Sequence, residues 1–174
     1  MAKTRRKMLG RVDSAECIAL MRLIETQSKA TIGKWAVGYA KENYLPLYEA
    51  IGAEKCFSQA VRACEEYLAG GMKLTDLKTA LKAAREGAAK AVDPVAQAAA
   101  RAVATGCSAV TTPTSALGFL FYGAAATAYA AAGLEADEDK YDALAAQELA
   151  RALESLRAVA VENEPNPVKI NWNC

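Results

Sequence analysis

Residues 93–129 read DPVAQAAARAVATGCSAVTTPTSALGFLFYGAAATAY. Two helix starts are legible in this stretch. Asp is a good N-cap residue and Pro is preformed for the first helical position, so Asp93-Pro94 opens one helix. Thr112-Pro113 repeats the device and opens a second, which runs to Gly133. In the first helix the polar residues fall mainly at Gln97, Arg101, Thr105 and Ser108. So narrow a polar stripe predicts that most of the helix circumference is buried. The second helix carries Leu117, Phe119, Leu120, Phe121 and Tyr122. Its small residues, among them Gly118, Gly123, Ala124 and Ala128, let neighbouring backbones come close. No charged residue lies between Arg101 and Glu135. The window from Ala116 to Leu134 approaches the ~20 residues that a bilayer span requires. Much of it is alanine and glycine, however, and the mean hydropathy of the chain is +0.01. The reading is a central helix enclosed by other helices, with no membrane contact.

Outward from this centre, helical spacing continues. Towards the N-terminus, a first helix is expected from about Ser14 to Ile24, capped by Asp13 with Glu16 reaching back. It places Cys17, Leu20, Met21 and Ile24 on one face. A second helix starts near Ser28, with Ile32, Trp35, Ala36, Tyr39 and Ala40 as its apolar stripe. Pro46 breaks that run and begins a short helix ending near Gly52. A further helix covers about Glu54 to Leu68 and stops at Gly70-Gly71. The next starts at Thr75, with Leu77, Leu81, Ala84, Ala88 and Ala91 facing inwards. Towards the C-terminus, a long helix runs from about Asp137 to about Glu162, with Tyr141, Leu144, Ala145, Leu149, Ala152, Leu153, Leu156 and Val159 in helical register. Neither alternating strands nor hairpin turns are evident. The expectation is an all-α chain: one domain over residues 1–174, a compact bundle of about seven or eight helices without significant β-sheet.

The 174 residues carry a net charge of +1, which supplies no global field for nucleic acid. The charges are nevertheless segregated. Lys3, Arg5, Arg6, Lys7 and Arg11 open the chain, and Glu135, Asp137, Glu138, Asp139 and Asp142 crowd a later segment. Residues 1–12 read first as a solvated, partly frayed end, with a nucleic-acid arm as the alternative. The five cysteines, Cys17, Cys56, Cys64, Cys107 and Cys174, are odd in number and form no Cys-x-x-Cys pair. No continuous apolar core follows the basic start, so a reducing cytoplasm is the expected setting. Cys174 differs from the others as a terminal thiol open to crosslinking between chains, and its reactivity is left open.

Chemistry is sparsely signposted. The chain contains no histidine. This removes Ser-His-Asp and Cys-His catalysis. The cysteine spacings match no compact zinc-ligand pair. Gly70-Gly71-Met72-Lys73 lacks the spacing and the Ser/Thr of a phosphate loop, and a helix C-cap explains it better. Thr111-Thr112-Pro113-Thr114-Ser115 offers hydroxyls at a helix start, where capping is the first reading and anion binding the second. No catalytic, cofactor-binding or metal-ligating residue is assigned. After the last helix the chain reads NEPNPVKINWNC over residues 163–174. Pro165 and Pro167 impose an extended path. A tail over residues 164–174 with Ile170 and Trp172 either docks on its own domain or presents Trp172 to a partner.

Three stretches carry a family resemblance: WAVGYAKENYLPLYEA at residues 35–50, the central segment at residues 93–129, and VENEPNPVKINWNC at the end. The chain resembles the alanine-rich, all-helical immunity proteins of bacterial polymorphic toxin systems. The resemblance implies a small cytoplasmic protein that binds a cognate toxin and blocks it. Members commonly carry histidines flanking the central Pro-Thr; Thr111 and Ser115 stand at those places here. No metal or proton role is therefore carried over, and no catalytic residue. The expected activity is toxin neutralisation through protein–protein contact. The partner-binding candidates are Glu135, Asp137, Glu138, Asp139, Asp142 and Trp172. Two alternatives remain: a small-molecule or carboxylate enzyme built around Thr111–Ser115, and a nucleic-acid binder acting through the basic N-terminus. A homo-oligomer is left open.

Overall fold

The computed structural model describes residues 5–172, and Cys174 lies outside them. Within that range the chain forms α1 (Ala15–Ile24), α2 (Lys29–Asn43), α3 (Leu45–Glu49), α4 (Cys56–Leu68), α5 (Leu74–Lys90), α6 (Pro94–Ser108), α7 (Ser115–Ala132) and α8 (Glu138–Val159). There is no strand among the described residues. The chain is all-α, as its alanine content and 3.6-residue periodicity require.

The helix starts show which local signals were decisive. Asp93 Oδ1 accepts from the backbone N–H of both Val95 and Ala96, at 3.0 Å each. Ser28 Oγ accepts from Thr31 N at 3.1 Å. The first helix departs from expectation: Ser14 is its cap, accepting from Cys17 N at 3.2 Å. Asp13 instead takes a bidentate pair from Arg11, at 3.1 and 3.0 Å. The α7 start also falls later than Thr112-Pro113 suggests, because the N–H groups of residues 109–112 are spent in successive turns and the helix begins only at Ser115. The α8 helix ends at Val159, short of Glu162. After α4, Gly70 takes φ +83°, its N–H reaches Tyr67 O at 3.0 Å, and Gly71 N–H reaches Glu66 O at 2.9 Å. This is the paired closure of a Schellman stop, for which a left-handed glycine is the least strained residue.

The centre of the fold is the α6–α7 pair. Helix α6 also touches α2, α3, α4 and α5, while α7 packs on α8, and α1 covers α8. Every α6 residue from Ala96 to Ser108 is buried except Gln97, Arg101, Thr105 and Ser108, which are half-buried. Helix α7 is long and apolar enough to cross a membrane, with mean hydropathy 1.3, yet 56% of it is buried inside the domain. Close approach is bought with missing side chains. A Cβ on Gly106 would sit 3.1 Å from both Ala40 Cβ and Phe119 Cδ2. A Cβ on Gly123 would lie 1.9 Å from Tyr44 Cζ. Gly118, by contrast, faces only Thr105 Cγ2 at 3.9 Å and is not needed for packing. Cys17, Cys64 and Cys107 are buried free thiols, and burial pushes Cys17 up to a pKa of about 11.

Candidate functional site: an acidic helix start under a basic strap

The acidic segment folds as the entry to α8. Gly133, at φ +75°, ends α7. Tyr141 then clamps the connection: its hydroxyl donates to Gly133 O at 2.6 Å and accepts from Ala136 N at 3.1 Å. Asp137 is the N-cap residue, with Glu138 and Asp139 in the first turn. Acids in this position are favoured by the positive end of the helix dipole. Glu135, Asp137, Glu138, Asp139 and Asp142 are all exposed, so the fold does bring these candidates to one surface.

That surface is not bare. The basic N-terminus, read from sequence as a frayed end, lies across it from Arg5 onwards. Arg5 Nη2 is 3.3 Å from Glu135 Oε1, and Arg6 Nη2 donates to Asp142 Oδ1 at 2.9 Å. Tyr129 donates to Arg6 O at 2.6 Å. Leu9 N–H donates to Phe121 O at 3.1 Å, and the Leu9 side chain is fully buried. Two charged runs more than a hundred residues apart in sequence therefore meet. The ion pairs themselves are exposed and worth about 0–1 kcal/mol each. The burial of Leu9 and the two backbone-directed bonds hold the strap more firmly.

Trp172 is placed away from the acidic segment. Its indole N–H donates to Glu25 Oε1, and its ring packs half-buried against the core with Val168 and Ile170. Val168 N–H donates to Gln27 O at 2.9 Å. The buried Gln27 side chain meanwhile closes on Val161, accepting from its N–H at 2.7 Å and donating to its carbonyl at 3.1 Å. The tail therefore runs back along the end of α1, and the acidic segment and Trp172 do not form one patch.

One cluster escaped the sequence reading. Glu148 on α8 is 3% exposed. Its Oε1 accepts from Tyr39 at 2.6 Å and Tyr44 at 2.9 Å, and its Oε2 accepts from Arg151 at 2.5 Å. Burial, followed by the adjacent Glu148 charge, drives both tyrosine pKa values up. Burial opposes the charge on Arg151, but Glu148 and Tyr39 outweigh it and raise its pKa. A buried carboxylate is tolerable when hydrogen bonds satisfy it in this way. The signal was available, since Glu148 occupies the buried register shared by Tyr141, Ala145, Ala152 and Leu156. Above the cluster, Trp35, Tyr39, Lys34, Glu42 and Ser155 line an open cleft of about 460 Å³ between α2 and α8. Trp35 Nε1 donates to Ser155 Oγ at 2.8 Å.

The Thr111–Ser115 segment gathers no such chemistry. Thr111 Oγ1 donates locally to Ser108 O at 3.3 Å, and Thr114 makes no side-chain cap bond. The buried carboxylate with tyrosine partners is Glu148 on α8, outside this segment. Among the described residues, no three His, Cys, Asp or Glu side chains gather as metal ligands.

An alanine-rich, all-helical bundle with charge segregated on its surface defines the class. The family model for the Imm-5 like putative immunity protein matches residues 22–159, from the last residues of α1 to the end of α8. The chain belongs to this family. No curated protein and no solved structure matches it. The strap and the tail both lie outside the matched segment.

Proposed function

We propose that this chain is a cytoplasmic immunity protein that binds a cognate toxin and neutralises it by contact, without catalysing a reaction. Membership of the immunity family over residues 22–159 carries this reading. The acidic start of α8 supplies the contact surface, with Asp137 and Asp139 exposed beside the bridged Glu135 and Asp142. It suits a toxin with a basic face, because complementary charge speeds encounter and excludes wrong partners. Trp172 supplies a separate aromatic anchor at the far end of the chain.

Co-expression with the product of the adjacent gene tests the proposal. The intact chain restores growth and co-purifies with the toxin. Asp137→Lys with Asp139→Lys weakens both while leaving the fold intact. Continued toxicity with no complex overturns the neutralising role. Full protection by the charge-reversed variant overturns the choice of surface.

A further inference from the structure

The strap has a second face. Arg5, Arg6 and Lys7 lie against one side of α6, where they enclose a small cavity of about 40 Å³ with Pro94, Gln97 and Arg101. About 10–15 Å³ holds one water, so the space accepts a compact polyatomic group. Four of its lining residues are cationic and none is acidic.

The charge is only half balanced. Glu135 takes Arg5 and Asp142 takes Arg6. Lys7 has no carboxylate partner among the described residues, and Arg101 makes only a long bond, 3.4 Å, to the neutral Gln97 Oε1. Asp93, next to Pro94, is turned to the amides of Val95 and Ala96. Two formal positive charges therefore remain at the cavity. The positions are built, since Tyr129 fixes the Arg6 carbonyl, Leu9 anchors the strap in the core, and Arg101 is half-buried on a rigid helix.

We propose that this cavity binds one phosphate-class dianion, either inorganic phosphate or the terminal group of a small phosphomonoester. Arginine forks and a lysine point charge are the donors that recognise such oxygens. A phosphomonoester carries nearly two negative charges above about pH 6, which matches the residual charge. A chloride or a single carboxylate would leave one cation uncompensated. The site uses the basic N-terminus, for which the immunity reading has no role, and it shares the Arg5–Glu135 and Arg6–Asp142 pairs with the acidic surface.

Calorimetric titration of the full chain at low ionic strength and near-neutral pH tests this. The probes are sodium phosphate, then glucose 6-phosphate, then a short DNA duplex. The expected result is saturable one-to-one binding of phosphate. Losing a charge-assisted contact weakens binding about tenfold or more, here in Lys7→Gln and in Arg101→Gln. Lys78→Gln, on exposed α5, leaves it unchanged. Competition by glucose 6-phosphate at least as strong as phosphate assigns the site to a phosphomonoester; weaker competition assigns it to the free anion. Lys7→Gln lies on the exposed strap, so the test stands even if Arg101→Gln misfolds. Absence of saturable phosphate binding, or equal loss in Lys78→Gln, overturns the proposal. So does salt-sensitive DNA binding that phosphate does not displace.

Discussion

The Tyr39 hydroxyl on α2 lies 2.6 Å from Glu148 Oε1 on α8, and the carboxylate it meets is almost wholly removed from water. Tyr44 shares the same oxygen and Arg151 takes the other. Glu148→Ala leaves two buried hydroxyls without their acceptor while the half-exposed Arg151 turns to water, and a loss of about 2–3 kcal/mol is expected. Tyr44→Phe removes one bond of the set and costs about 1–2 kcal/mol. Urea unfolding of the two variants measures both values. Equal midpoints for Glu148→Ala and the parent chain would falsify the account of this cluster.

Gly123 is where α7 makes room for Tyr44. A methyl group there would enter the ring, so Gly123→Ala is expected to destabilise the fold by about 3 kcal/mol, at the upper end for overpacking. Gly118→Ala has open space and should be neutral or slightly stabilising through helix propensity. Paired thermal melts compare the two substitutions. A smaller loss at Gly123 than at Gly118 would contradict the packing described.

Stability should fall at alkaline pH. Burial raises the Cys17 pKa from 9.0 to about 11, and it raises Tyr39 and Tyr44 above 10.0. Between pH 9.0 and about 11 the unfolded chain has released protons that the folded chain still holds. Unfolding free energy then decreases with rising pH. The stabilisation is complete below pH 9.0 and is lost as pH climbs through the folded values. Urea midpoints from neutral pH upwards should decline across this window. Tyr39→Phe should flatten the decline, and a midpoint that rises with pH would be inconsistent with burial of these groups.

The tail depends on Gln27. Its side chain satisfies both polar groups of the Val161 backbone, while its own carbonyl receives Val168. Gln27→Ala is expected to cost about 1–2 kcal/mol by removing both bonds that tie the Val161 backbone to the end of α1. Trp172 fluorescence should shift to the red as the indole leaves Glu25 and becomes solvated. Hydrogen exchange can follow the same release at Val161 and Val168. Unchanged protection at both amides would show that the tail is held elsewhere.

Much of this architecture was legible along the chain. The polar stripe of α6, the Asp93-Pro94 start and the Gly70-Gly71 stop are local events, in which spacing and backbone preference act within a few residues. Ser14, not Asp13, caps α1 because Arg11 competes for the Asp13 carboxylate, a choice between two adequate caps that composition does not rank. The acidic segment and the basic start were also visible as charge runs. Their meeting was not, because an ion pair between Arg6 and Asp142 needs the path of Leu9 over α7 to be known. Glu148 was hidden for a related reason. A glutamate in a buried register is either an error of phase or a satisfied carboxylate, and only the arrival of Tyr39 from α2 and Tyr44 from the α2–α3 junction decides between them. The sequence by itself thus determined the helices, the apolar centre and the family. Tertiary structure alone decided which charges cancel, which stay open beside Lys7 and Arg101, and where the tail rests, because those outcomes depend on contacts between residues far apart in the chain.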